Sequence, residues 1–277
     1  MILPPPPGLY SDVDDDEYHS DTGSLSSSGA RTILMRSPAE FWYEQQHGRP
    51  PKAAYDEGHA AHLYLLGKGP AVEVIDAEDW RTDDARKARD AAYKAGKVPL
   101  LPHQDLAARE MAATVRRHEL AGPLFAAGQP EMSGWWPDDE TGVMLRLRTD
   151  WLTAIRGRLV IVDYKTSKSA GRGAFAKAAA DYGYFMQHPY YTAGFRALEI
   201  ADNPAFVFVT QCKTPPYRVT VAQLHPNDVA LGHDLNRAAI RTYADCLAAG
   251  HWPDDSDRIH TVSIPAYARY RAQELLA

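Results

Sequence analysis

Two rhythms of apolar and polar residues divide this chain, and the change between them comes near residue 128. Up to about residue 122 the pattern is helical. A helix is predicted to start at the serine run Ser26-Ser27-Ser28 and to carry Ile33, Leu34 and Met35. Ser37-Pro38-Ala39-Glu40 combines a capping box with proline at the first helical position, so a second helix opens there. It runs through Phe41, Trp42 and Tyr43 and stops near Gly48. A third helix is expected over 53–66, with two more near 83–95 and 103–120, separated by a Pro/Gly-rich stretch. Residues 1–24 fit neither rhythm. They are Pro-rich, then acidic, then Gly/Ser-rich, a composition that predicts a poorly ordered arm.

From about 130 the pattern is that of strands. EMSGWW and VMLRLRTDWL flank Asp138-Asp139-Glu140-Thr141-Gly142, which reads as a hairpin turn. Gly157 marks the next turn, and the apolar run LVIVDYK reads as a buried central strand. Helices follow at about 173–182 and 184–198, then strands in FVFVT and YRVTV, then a long helix from about 225 to 249. The plan is α/β: one central mixed β-sheet flanked by helices, with an N-terminal helical region. After the arm, 25–277 is expected to form a single domain, with a helical part over about 25–122, a core over about 128–200, and C-terminal strands and helix over about 205–250.

Charge changes this picture only once it is localised. The net charge is −6, but residues 1–30 carry six acids and no Lys or Arg, so the remaining chain balances 30 acids against 30 bases. A neutral body binds a polyanion only where its bases cluster. No apolar run reaches the roughly 18–20 residues of a membrane span, and the N-terminus has no signal-peptide pattern, so a cytoplasmic setting is expected. The two cysteines, Cys212 and Cys246, match no zinc or iron–sulfur spacing.

Four polar residues interrupt these strands or stand at their ends: Glu131, Asp150, Asp163 and Lys165. Asp163 and Lys165 are two apart and leave the same face of their strand. Asp150 shares its parity with Arg146 and Arg148, so antiparallel neighbours would bring Asp150, Asp163 and Lys165 to one sheet edge. Carboxylates in such a place need a cation, and oxygen ligands with open positions suit Mg²⁺, with Mn²⁺ as a substitute. A nearby ammonium would orient or help deprotonate an attacking water. Read alone, D-x-K is a salt bridge; D-x₁₂-D-x-K with an upstream glutamate is more informative. Gln187 and Tyr191, four apart, share a face of the next helix. Arg146 and Arg148 could contact phosphates or balance the carboxylates, and Ser28 could offer a hydroxyl to a phosphate at a helix N-terminus or serve in capping.

Taken together, Gly58 and His62 in EGHAAH, Glu131, RLRTD, VDYKT and Gln187 to Tyr191 resemble the RecB-like branch of the PD-(D/E)xK nucleases. The similarity is greatest to exonuclease VIII (RecE)-type phage exonucleases, and SPAEFW, FVFVTQCKTPPY and HWP agree in the flanks. This resemblance spans about 25–255. It implies a restriction-endonuclease-like core with Asp150, Asp163, His62 and the backbone carbonyl of Tyr164 as metal ligands. Lys165 would act on the water, Glu131 would bind a second metal or the water, and Gln187 and Tyr191 would support the site. His59 competes with His62, and the spacing from Gly58 favours His62. The implied activity is Mg²⁺-dependent exonucleolytic DNA hydrolysis, 5′→3′ on duplex ends, in a bacterial or phage setting. A single-strand annealing recombinase partner and a ring-shaped homo-oligomer are implied with it. An iron–sulfur cluster is not expected from two cysteines, and with no phosphate-loop motif the sequence carries no helicase motor. The residues alone leave open an endonuclease, a single-strand exonuclease and an inactive DNA-binding module.

Overall fold

The structure, a computed structural model, describes residues 4–48, 56–257 and 259–276. Five strands form the central mixed sheet, in the order β11 (Val219–Ala222), β10 (Ala205–Cys212), β9 (Arg158–Ser167), β8 (Trp151–Ile155) and β5 (Gln129–Pro130). β9 and β10 run parallel and the other neighbours antiparallel. β9 is buried on both faces, as its apolar run requires. Ile161 faces a core that includes Leu152, Phe206, Phe208 and the helices α2 (Ser27–Met35), α8 (Tyr184–Ala197) and α9 (Pro226–Ala249). Val160, Val162 and Tyr164 face the opposite core, closed by α4 (Asp56–Leu66) and α6 (Pro102–Arg117). Helices therefore cover both faces of the sheet. None among the described residues is long and apolar enough to cross a membrane.

Local signals in the sequence account for most element boundaries. Ser26 caps α2 by accepting from the Gly29 amide at 3.1 Å, and Ser37 caps α3 (Pro38–His47) by accepting from Glu40 at 3.1 Å. Gly48 follows at φ +70° and ψ −177°, a backbone conformation that essentially glycine alone adopts, and ends the helix. Of the helix expected over 53–66, residues 56–66 form α4 and 53–55 lie outside the described residues. α5 (Asp83–Lys94), α7 (Arg172–Asp181), α8 and α9 fall where the pattern places them.

The expected central mixed sheet is present, and two further sheets accompany it among the described residues: β3 (Val72–Val74) pairs parallel with β4 (Val98–Leu100), and the other takes in the predicted hairpin. β6 (Ser133–Pro137) and β7 (Met144–Arg148) form the predicted hairpin, but in a separate four-stranded sheet ordered β1 (Gly8–Tyr10), β6, β7, β2 (Ser24–Ser26). VMLRLRTDWL is broken at residues 149–150, and a matching break at 131–132, where EMSGWW begins, separates β5 from β6. Each chain segment passes from one sheet into the other there. The breaks sit opposite one another, joined by Glu131 N–H donating to the Asp150 carbonyl (3.1 Å) and Thr149 N–H to the Met132 carbonyl (2.9 Å). Alternation carries no signal for such a switch, because a change of sheet leaves the local pattern of apolar residues on either side of the break unmarked.

The expected disordered arm is corrected as well. β1 (Gly8–Tyr10) pairs antiparallel with β6, and β2 (Ser24–Ser26) pairs parallel with β7. Between them Val13 and Tyr18 pack on Trp135, with α1 (Asp15–Ser20) carrying Tyr18. Asp21 is 2% exposed and accepts from the Trp135 indole at 2.8 Å. An acidic, apolar-poor segment folds here because its few apolar residues and one aspartate find partners more than 100 positions away.

Candidate active site at the sheet junction

The switch between sheets positions two of the candidate acids. At Thr149-Asp150 the chain leaves the β6–β7 sheet, and Asp150 stands one residue before the first rung of β8, where Trp151 faces Val162. Its neighbour across the strands is thus Asp163. Free of the ladder, the Asp150 side chain accepts from the Tyr164 main-chain amide at 2.7 Å. Glu131 occupies the opposing break with φ +49°, a left-handed conformation uncommon outside glycine. Its carboxylate is 3.7 Å from Arg148, and burial raises its pKa more than Arg148 lowers it.

Asp163 and Lys165 leave β9 on the face covered by α8. Lys165 Nζ donates to Asp163 Oδ1 at 2.7 Å and lies 2.6 Å from Oδ2. Gln187 Nε2 donates to the same Oδ1 at 2.6 Å. Asp163 is 2% exposed, and its Oδ2 makes a close ion pair but no well-directed hydrogen bond. Lys165 also lies 5.3 Å above the Tyr184 ring. Burial lowers the Lys165 pKa, but Asp163 and Asp150 more than offset this, so the amine stays charged. Asp150 is pushed well above the carboxylate range, first by burial and then by Asp163. The second carboxylate thus lacks a counter-charge of its own.

α4 closes the other side. It approaches β9 at Gly58, where a Cβ would meet Thr166 Oγ1 at 2.8 Å. One turn later the His62 ring lies 4.8 Å from the Tyr164 ring. Its pKa is lowered to about 4 by burial and then by the Lys165 charge, against the pull of Asp163 and a main-chain hydrogen bond with Tyr164. The imidazole is neutral at pH 7, the form that coordinates a metal. His59 is exposed, one turn back towards Asp56.

Asp150, Asp163, Lys165, Gln187 and His62 are therefore brought together, and Glu131 stands beside them. Tyr191 is placed differently: its hydroxyl donates to the Arg148 carbonyl at 2.8 Å, bracing the β7 end of the junction. Two candidate phosphate contacts are corrected. Arg146 is 4% exposed and is held by Asp21 (3.3 Å), the Asp21 carbonyl (2.7 Å) and the Ser24 carbonyl (2.6 Å). Arg148 donates to Asp15 (2.8 Å), the Val13 carbonyl (2.9 Å) and Ser133 (2.8 Å). Both do balance carboxylates, but Arg146 serves the arm alone, and Arg148 serves it along with Glu131. Ser28 is exposed, its hydroxyl 3.0 Å from that of Ser26.

Two contributors escaped the sequence reading. Tyr184 was legible, since it precedes Gln187 by three and Tyr191 by seven on one helical face. Asp15 was not, because only the long-range pairing of the arm brings it to Arg148.

The donor set suits a hard divalent cation. Two carboxylates crowded at low exposure, one with an oxygen lacking a hydrogen bond, favour a cation between them, and a neutral imidazole stands nearby. Among the described residues no three His, Cys, Asp or Glu side chains are gathered into a ready-made cluster. The ammonium of Lys165 supplies the positive charge at Asp163.

The model of a family described as a PDDEXK-like domain of unknown function (DUF3799) matches residues 26–264. The crystal structure of a candidate exonuclease from Eubacterium rectale aligns with a TM-score of 0.57 over 97% of this chain and 98% of that one. At 13% identity, that likeness shows a shared fold. The crystal structure of SSO0001 aligns over 68% of this chain and 84% of that one at 16% identity, but its TM-score of 0.30 carries no argument. No curated protein matches the chain.

Proposed function

We propose, from the premise that the chain belongs to the PDDEXK-like domain family, that it is a Mg²⁺-dependent deoxyribonuclease whose site is the junction described above. The observation that carries this reading is Asp163, buried on β9 and held between Lys165 and Gln187, with a second carboxylate, Asp150, just before the adjoining strand.

Asp150 and Asp163 would hold the ion, with the Tyr164 carbonyl and His62 as further donors; Mn²⁺ would substitute. A bound divalent ion supplies charge stabilisation to the scissile phosphate and acidifies a coordinated water. Lys165 enters as an ammonium, so its part is to orient the attacking water and meet negative charge growing on the phosphate, not to remove a proton as a free base. Gln187 fixes the Asp163 carboxylate. Glu131 would serve the water or a second ion, and Tyr191 holds the Arg148 end of the junction.

The finer reading follows the RecE-type pattern: 5′→3′ exonucleolytic digestion of duplex ends, by a ring-shaped homo-oligomer, feeding a single-strand annealing recombinase in a bacterial or phage setting. The spacing from Gly58 through Tyr191 supports it. The deciding experiment is Mg²⁺-dependent digestion of end-labelled linear duplex beside a closed circle. Release of mononucleotides from the linear DNA alone is expected. Equal cutting of the circle would replace the exonuclease by an endonuclease, and full activity in excess chelator would remove the metal mechanism.

A further inference from the structure

Charge is distributed unevenly around the site. On the Glu131 side lies the folded acidic arm, with Asp15 bonded to Arg148 and Asp14, Asp16 and Glu17 exposed beside it. On the other side, beyond Lys165, the chain has no Asp or Glu from 164 to 180 and none from 203 to 227. We infer that the loop after β9 and the hairpin between β10 and β11 form the surface along which DNA leaves the site, with Lys168, Arg172 and Arg218 contacting its phosphates. This rests on the nuclease reading and adds where the substrate lies.

The two loops form one built surface. Lys213 N–H donates to the Ser167 carbonyl at 2.9 Å, Cys212 Sγ to the Lys168 carbonyl at 3.2 Å, and Cys212 N–H to the Arg218 carbonyl at 2.9 Å. The Arg218 guanidinium lies against Gly171, 3.0 Å from where a Cβ would stand. Lys168, Arg172 and Arg218 are exposed, and among the described residues none makes an ion pair, whereas Lys177 in the same stretch is paired with Asp181. In a body whose acids and bases are equal in number, cations left without carboxylates are the surplus charge a polyanion would meet.

Position points the same way. The ridge caps the carboxyl ends of the parallel strands β9 and β10, the edge where open α/β sheets leave room for ligands. Lys168 is three residues beyond Lys165, at most ~11 Å along an extended chain, so one DNA molecule reaches both. Gly171 gives α7 no side-chain cap, which leaves its first amides facing the same surface. The acidic arm is pinned by β1 and by Asp21, so its negative charge stays beside Arg148 and Glu131 and disfavours passage there.

The test is fluorescence anisotropy with a labelled duplex of about 20 base pairs in chelator, over about 50–200 mM salt. The wild-type chain is compared with K168A/R172A/R218A and with a control triple, K87A/K94A/R269A, that removes equal charge elsewhere. The ridge variant is expected to bind at least about tenfold more weakly at low salt, and its log K against log salt slope should flatten by about 2–3. The control should change little. Thermal melting of each variant checks folding, and K168A/R172A alone serves if Arg218 proves structural. Equal losses in both triples, or no loss in the ridge variant, would overturn the ridge while leaving the nuclease reading intact if the wild type still cleaves. A wild-type chain that binds no duplex would remove both.

Discussion

Asp21 and Asp163 are equally buried, each 2% exposed, and each has a cation beside it, yet their surroundings differ in kind. Asp21 sits in a closed network. One oxygen accepts from the Gly23 amide (2.8 Å), and the other accepts from Ser24 and the Trp135 indole (2.8 Å), with Arg146 at 3.3 Å. No second acid intrudes. Asp163 has two donors, one on a mobile-length lysine, an oxygen without a directed hydrogen bond, and Asp150 as a like-charged neighbour. A buried carboxylate with every lone pair occupied holds a fold together. One left short of donors beside another carboxylate is poised to bind a cation. The same residue type, at the same depth, is structural in the arm and chemical at the junction.

The sharpest way to break this contrast is to remove Asp21. Asp21→Ala should leave Arg146 buried without its carboxylate and the Trp135 indole without its acceptor, lowering stability by about 3–5 kcal/mol. Denaturant unfolding measures it, and a loss below about 1 kcal/mol would mean the arm is only loosely held. Deleting residues 1–24 should have at least that effect, since it removes β1 and the Tyr18 packing as well.

The opposite outcome is expected at the junction. Asp163→Asn and Lys165→Ala should each lower Mg²⁺-dependent cleavage at least ~10²-fold, the lower range for a positioned electrostatic group. Their melting temperatures should stay near that of the wild type, and Asp163→Asn should rise if repulsion from Asp150 dominates. Near-normal cleavage by Lys165→Ala would take the lysine out of the mechanism, and unfolding of both variants would make Asp163 a second Asp21.

A smaller effect is expected at a half-buried histidine whose Nδ1 makes no hydrogen bond. His188 stacks on Phe206 with ring centroids 5.1 Å apart, and its Nδ1 has no hydrogen bond. Burial first, and the Arg196 charge second, lower its pKa to about 4. The folded state therefore resists protonation that the unfolded chain accepts below about pH 6.5. Its contribution is complete above that value and is lost as pH falls towards 4. His188→Leu should flatten the stability profile across that window; an unchanged slope would assign it to other groups.

The weakest of these tests compares two histidines on one helix. His62→Ala should reduce cleavage by about tenfold or more, and His59→Ala should have a mild effect, because the half-buried His62 ring faces Tyr164 while His59 is exposed. The reverse order of activities would mean that the His59 face of α4 turns into the site when the ion binds.

Local chemistry alone determined a good deal of this protein. Ser26 and Ser37 announce their helices, because a cap is a contact within four residues. The two-residue step from Asp163 to Lys165 and the four-residue step from Gln187 to Tyr191 place side chains on shared faces whatever surrounds them. Tertiary structure alone decided which partners those faces meet. It split the strand runs at 131 and 149–150 between two sheets, turned Arg146 and Arg148 towards Asp21 and Asp15, and folded an acidic arm that its composition marks as unstructured. The last two depend on pairing between segments more than 100 residues apart, and the split depends on hydrogen bonds between opposing breaks that no single run displays. Such register is set by the free energy of the assembled core, and no window along the chain contains it.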